Sequence, residues 1–312
     1  MRIWSCVDGL WREGDAEVPA SRWYDLGGED QDRLREFGER LSLHPLAIAD
    51  CLSPYLHTPK LDDFGDYLFL VIATMSAAGS FPEPEELDFF LGRDILITYH
   101  DRPDAPAAII ETVNALKNGV SVRPGVDGLM YEIVDRCVDD VIPRISAMSE
   151  ELDAIEDGIV AGGGAGLNHR RVLELRSIAG RIRRILIPEQ NVMLRFGRGE
   201  LHLISSENHI YFRDVYDHLV RVDMALEELR EDAEVALSTY LSALNNRMNE
   251  VMKVLAVVGA LALPATVITG IFGTNFDDIP GLHSNWGFAT MMGAMAGIMG
   301  SMAYIFHRRS WF

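Results

Sequence analysis

Cysteine is scarce. The 312-residue chain has three, Cys6, Cys51 and Cys137, widely spaced and with no CxxC pair. That excludes a disulfide framework and a cysteine-based zinc site, and it reads as reduced cytosolic thiols. Positive charge is scarce as well: 28 Lys and Arg stand against 47 Asp and Glu, a net charge of -19. A phosphate backbone would be repelled, so nucleic acid is excluded as a partner. The N-terminal "MRIWSCVDGLWREGD" lacks the apolar core of a signal peptide, and the N-terminal part is expected to stay in the cytosol. The glycine-rich "AGGGAG" from Ala161 follows no strand and lacks the Lys-Ser/Thr end of a phosphate loop. It reads as a helix-to-helix turn. With no nucleotide motif and no nucleophile–base pair at recognisable spacing, an enzyme is not expected.

Charge of either sign is missing from the C-terminal part. From Val254 onward the only Asp, Glu, Lys and Arg are Asp277, Asp278, Arg308 and Arg309, which cancel, so the acidic excess lies in residues 1–253. Between Lys253 and Asp277 runs an uncharged stretch of about 23 residues, and a second stretch runs from Ile279 to Phe306. Each is long enough for one helical membrane crossing. A buried helical hairpin in a soluble core is the alternative, but such helices rarely lack charge over this length. Arg247 and Lys253 precede the first span, Arg308 and Arg309 follow the second, and the short loop between the spans has no Lys or Arg. The positive-inside rule then places both termini in the cytoplasm and the acidic loop outside, in an inner (plasma) membrane.

What is present in residues 1–123 reads as mixed α/β. "RIWSCV", "RWYDL", "YLFLVIATM", "ELDFFL" and "ILITYH" are candidate strands, rich in β-branched and aromatic residues. "EDQDRLREFGERL", "HPLAIADCL" and "APAAIIETVNALKN" have helical periodicity, and Pro103 marks a place for a helix to begin. Residues 124–205 read as a long-helix pair: an acidic helix interrupted at Pro143, then a basic one from "LNHRRVLELR", expected to pair antiparallel by charge. From Ser206 there is no Gly or Pro until Gly259. Residues 206–272 therefore read as one helix of roughly 65 residues, about 100 Å long, that continues into the first span. A helix of that length needs partners along its apolar face, and oligomerisation supplies them. An outer loop (273–285), a second span (286–306) and a basic cytosolic tail (307–312) complete the chain.

Asn249, Met252, Leu255, Gly259, Leu263, Thr266 and Gly270 recur every three or four residues and share one helix face. Such a stripe suits helix–helix packing in a bilayer. It also suits a pore wall, in which Met252 and Leu255 form an apolar constriction that gates by dewetting. "YFRDVYDHL", "TYLSALNNRMNEVMKVL", "LPATVITGIFGTNF" and "HRRSWF" resemble the CorA metal-ion transporter family, strongly across 206–312 and compatibly over the rest.

The resemblance implies a homopentamer with a cytosolic funnel of α+β fold. The long helix lines the pore, and the second span forms an outer ring. Asn249, Met252, Leu255 and Thr266 match pore-lining positions. Asn275 matches the asparagine of the Gly-Met-Asn signature at the outer mouth, and Asp214 matches a position that senses cytosolic Mg²⁺. Five Asn275 carboxamides would offer neutral dipoles to the water shell of a cation without gripping it, and Asp277 and Asp278 would concentrate cations at the entrance. No tightly bound cofactor is expected. Mg²⁺ is the expected permeant ion, with Co²⁺ and Ni²⁺ as companions, and also the regulatory ion. The signature here is Gly273-Thr274-Asn275, and the substituted middle position resembles the ZntB-like branch, so a Zn²⁺-type transporter of the same fold is the alternative. His283 in the outer loop could contact Zn²⁺ but is alone there. A membrane-anchored coiled-coil scaffold is the remaining alternative. It predicts sustained heptads, whereas the polar stripe continues through Thr266.

Overall fold

The computed structural model of the protein describes residues 1–17, 20–76, 83–160, 169–275, 279–281, 284–309 and 311. The chain divides into two compact units, Met1–Asp157 with Asn168–Leu237, and Gly158–Leu167 with Ser238–Phe312.

The first unit is built on a seven-stranded sheet. Its strands are β1 (Arg2–Val7), β2 (Leu10–Glu13), β3 (Ser21–Gly27), β4 (Lys60–Asp63), β5 (Leu68–Met75), β6 (Pro84–Leu91) and β7 (Ile95–His100). The spatial order is β2-β1-β3-β7-β6-β5-β4. Every pairing is antiparallel except β3 with β7. The sheet is thus two antiparallel runs joined at one parallel seam. The seam is fastened by buried side chains: Trp23 Nε1 donates to Thr98 Oγ1 at 3.0 Å, and Thr98 Oγ1 donates to Asp25 at 2.8 Å.

All five expected strands form. β5 is buried along its whole length, as a continuous apolar run requires when both sheet faces are covered. Alternation sorts its side chains: Leu68, Leu70 and Ile72 join the larger core, Phe69 and Val71 the smaller. The smaller core is closed by α1 (Gln31–Arg40) and α2 (Pro45–Cys51); α3 (Ala107–Lys117) and α4 (Gly125–Asp139) supply the larger one. β2 and β4 were not expected. β2 follows a two-residue turn at Asp8 and Gly9, both with positive φ (53° and 77°), the geometry that Asp-Gly favours in a hairpin. β4, "KLDD", is a short charged edge strand with little hydrophobic signal.

Two expected helix boundaries move. α3 begins at Ala107 after Pro106 and not at Pro103. The acidic helix breaks at Asp140, ahead of Pro143, which lies in the first turn of α5 (Val141–Val160), where a missing N–H costs nothing. The glycine-rich turn at 161–168 lies outside the described residues. α6 (His169–Gly197) is the basic helix. Arg171 pairs with Glu151 of α5, as expected. Two of its other cations turn to α7 (His209–Phe272): Arg183 meets Asp223 and Glu227 at 2.6 Å each, and Arg176 meets Glu234 at 2.7 Å. The acidic face of α7 competes with α5 for the basic helix.

α7 has 64 residues, and its last part belongs to the second unit with α8 (Gly287–Arg308). Both are long and apolar enough to cross a membrane.

Candidate functional site

Within the second unit α7 has two unlike faces. Val257 is 7% exposed, and Ala260, Leu261, Pro264, Ile268 and Phe272 are half-buried. On α8 the half-buried residues are Met291, Met295, Met299, Met302 and Phe306, spaced three or four apart. These are the packing stripes of the two helices, and flexible methionines fill the irregular gaps along one of them. Pro264 lies on the packed face and contributes no backbone donor.

The other face of α7 carries the expected stripe. Asn249, Met252, Leu255, Gly259, Leu263, Thr266 and Gly270 are all exposed, with Met252 at 62%, Leu255 at 68% and Leu263 at 63%. Asn249 and Met252 border one cavity of about 700 Å³ together with Trp311. Thr266 Oγ1 donates to the Ala262 carbonyl at 2.9 Å, which satisfies its proton and leaves oxygen lone pairs on the exposed face.

The helix ends just before Gly273-Thr274-Asn275. Gly273 N donates to the Thr269 carbonyl at 2.9 Å, and Thr274 bonds the Ile271 carbonyl through its amide at 3.2 Å and its hydroxyl at 2.7 Å. Thr274 therefore acts as a cap, and Asn275 follows it exposed. Asp277, Asp278 and His283 lie outside the described residues.

Asp214 lies in the first unit, 59% exposed on α7, with Oδ2 3.6 Å from His218 Nε2. His218 Nδ1 is 3.2 Å from Asp139 of α4. Donor atoms of Asp135, Asp139 and His218 all lie within 4.8 Å of one another. Burial, with Asp139 adding to it, pushes the Asp135 carboxyl up. Asp135, Asp139 and His218 were missed in the sequence. The available signal was a pair of i, i+4 spacings, Asp135/Asp139 and Asp214/His218, each of which puts two donors on one helix face. Such spacing is commonplace, and only the packing of α4 against α7 gives it meaning.

The architecture, an α+β unit followed by two apolar helices, is that of a known class of ion transporters. The CorA-like Mg²⁺ transporter protein model matches residues 20–308, and the chain belongs to that family. It is 31% identical over 302 residues to the putative metal ion transporter YfjQ of Bacillus subtilis, covering 95% of this chain and 92% of that one. It is 27% identical over 301 residues to the cobalt/magnesium transport protein CorA of Thermotoga maritima, covering 95% and 84%. The solved structure of the CorA magnesium transporter from Methanocaldococcus jannaschii superposes with a TM-score of 0.87 at 21% identity, covering 100% of this chain and 99% of that one. The fold is the same.

Proposed function

We propose that the protein is a divalent-cation channel that assembles as a homopentamer in the inner membrane with both termini in the cytoplasm, and that its permeant ion is Mg²⁺. The observation that carries this reading is the exposed α7 stripe of small, polar and apolar residues, in a chain whose family match spans nearly its whole length. Five copies of that face enclose a pore. Mg²⁺ surrenders its water reluctantly, so a wall of Asn249, Thr266 and glycine backbone passes the hydrated ion by hydrogen bonds to its shell. Met252 and Leu255 form the dry constriction that closes the path. Asn275 presents carboxamides at the outer mouth, held there by a helix end that Gly273 and Thr274 cap. Asp277 and Asp278 raise the local cation concentration.

The regulatory reading adds Asp135, Asp139 and His218 to Asp214. Asp135 and Asp139 give carboxylates that suit a hard divalent ion, the imidazole admits Co²⁺ as well, and Asp214 flanks the far side of His218. A bound ion bridges such acidic groups on neighbouring subunits and holds the ring closed, and differential binding to that form provides negative feedback.

Flux into liposomes tests the proposal, with Mg²⁺, Co²⁺, Ni²⁺ and Zn²⁺ compared with and without a pH gradient. Mg²⁺ flux indifferent to the gradient is expected; Zn²⁺ flux that requires the gradient supports the Zn²⁺-type alternative instead. Asn275→Ala is expected to abolish flux while the oligomer remains intact. Wild-type flux from the assembled variant removes Asn275 from the mechanism.

A further inference from the structure

The smaller core of the first unit ends in a polar cavity. β6 sends Glu86, Asp88 and Phe90 to one face, and β7 sends Ile97 and Tyr99 to the same face, with Asp88 directly opposite Tyr99. Phe90, Ile97 and the ring of Tyr99 are core. Beyond them the α1–α2 layer gives out. Cys51, at the end of α2, and Tyr55, after it, line a cavity of about 180 Å³ together with Glu86, Asp88, Tyr99 and Asp101.

The cavity's polar groups are unevenly satisfied. Glu85 is paired with Arg102 at 2.6 Å, and Glu86 accepts from the His57 amide at 2.5 Å and lies 3.1 Å from its ring. Asp88 is 2% exposed, and its Oδ1 has no hydrogen-bond partner among the described residues; the Tyr99 hydroxyl, also buried, has none either. Two orphaned oxygens side by side are costly, and the carboxylates of the lining, Glu85, Glu86, Asp88 and Asp101, outnumber its basic groups, Arg102 and His100. Burial and the neighbouring Glu86 penalise the charged form of Asp88 further. A positive charge that brings hydrogen-bond donors relieves all of these at once.

We propose that this cavity binds one hydrated divalent cation per chain, held through its water shell by Asp88, Glu86 and the Tyr99 hydroxyl. Among the described residues, the only group of three side chains with metal-ligand atoms within 4.8 Å of one another is Asp135, Asp139 and His218. Asp88 and Glu86 supply only two carboxylates, fewer ligands than a bare divalent ion needs, so the ion keeps most of its waters. A cavity of about 180 Å³ holds several waters, each needing roughly 10–15 Å³ of such space, so a divalent ion can enter with its water shell. The site is separate from the conducting stripe and does not depend on the conduction reading.

Mn²⁺ serves as the probe, with the number bound to the purified full-length protein in detergent counted by electron paramagnetic resonance of the free ion. Asp88→Asn should remove one Mn²⁺ per chain while leaving thermal unfolding and oligomer size as in the wild type. Asp139→Asn should remove a different one, so that the double variant loses two. Hexaamminecobalt(III), whose ligands do not exchange, should displace the Asp88-dependent Mn²⁺. An unchanged Mn²⁺ count in folded Asp88→Asn overturns the proposal, as does an Asp88-dependent Mn²⁺ that hexaamminecobalt(III) leaves in place. Should Asp88→Asn fail to fold, Tyr99→Phe takes its place. It is expected to weaken the same Mn²⁺ about tenfold, the worth of one hydrogen bond, and unchanged affinity there also overturns the idea.

Discussion

The hydroxyl of Thr274 donates to the Ile271 carbonyl at 2.7 Å, which gives the middle signature position a job that a methionine there could not do. Helix ends leave carbonyls without intrahelical partners, and in a bilayer interface few waters replace them. Thr274→Val keeps the shape and deletes the bond. It should loosen the last turn of α7 and lower ion flux several-fold, whereas Thr274→Ser should retain most of it; equal flux from both variants would show that the cap is idle. Glu189 is a second telling residue. It is fully buried on α6 with one long bond from the Ala73 amide at 3.5 Å, and burial lifts its carboxyl to about 8. In the folded chain it keeps its proton up to that pH, and in the unfolded chain only within the ordinary carboxylate range. Unfolding releases a proton in between, so its contribution makes stability fall as pH rises from about 4.5 to 8. Glu189→Gln should remove that slope and stabilise the first unit by about 1–3 kcal/mol at pH 8, read from thermal unfolding at several pH values. Neither role was legible beforehand. Thr274 was read only as a departure from a signature, and "PEQNVM" gives no sign that one carboxylate points inward.

At the scale of elements, legibility followed hydrophobic pattern. β5, β6 and β7 announce themselves because runs such as "LFLVIATM" have both faces buried, and α7 because no Gly or Pro interrupts it before Gly259. β4 was silent because a charged edge strand carries its information in pairing partners. β2 is faint in the sequence despite Asp8-Gly9, since four residues with one buried tryptophan make a weak strand signal. That turn can be tested: Gly9 has φ 77°, and Gly9→Val should cost about 1–2 kcal/mol from backbone strain alone, measured by denaturant unfolding. The cluster of Asp135, Asp139 and His218 was half-visible for a related reason. Asp214 stood out through resemblance, but its companions on α4 become neighbours only once α4 packs beside α7. Asp139→Asn and Asp214→Asn should each weaken Mg²⁺ protection of the first unit from protease. Unchanged protection of the wild type across millimolar Mg²⁺ would remove the regulatory reading and leave the conduction reading standing.

For the molecule as a whole, the exposed apolar surface of a single copy is the informative quantity. Leu244, Met248, Val251, Met252, Val254, Leu255, Val258, Leu263, Val267 and Ile271 on α7, with Phe288, Met292, Ile298 and Ile305 on α8, are exposed large hydrophobics. Lipid can cover the upper ones, but those near Arg247 and Glu250 lie among charges and call for protein. Native mass spectrometry in mild detergent should give a pentamer, and a stable monomer or dimer would defeat the pore. The net charge of -19 per chain makes that assembly salt-sensitive, so divalent cations should strengthen it more than equal ionic strength of Na⁺. The parallel seam of the sheet has a further consequence, in time instead of space. β1 to β3 and β4 to β7 each close through neighbours in sequence, but β3 and β7 are separated by 73 positions from Arg22 to Ile95. Loop-closure entropy falls on that one step, so the two halves should collapse early and wait for each other. Until they meet, β3 and β7 are open edges, and the unfinished chain is most prone to misassociate during that interval. Trp23, Thr98 and Asp25 fasten the seam once the halves have met.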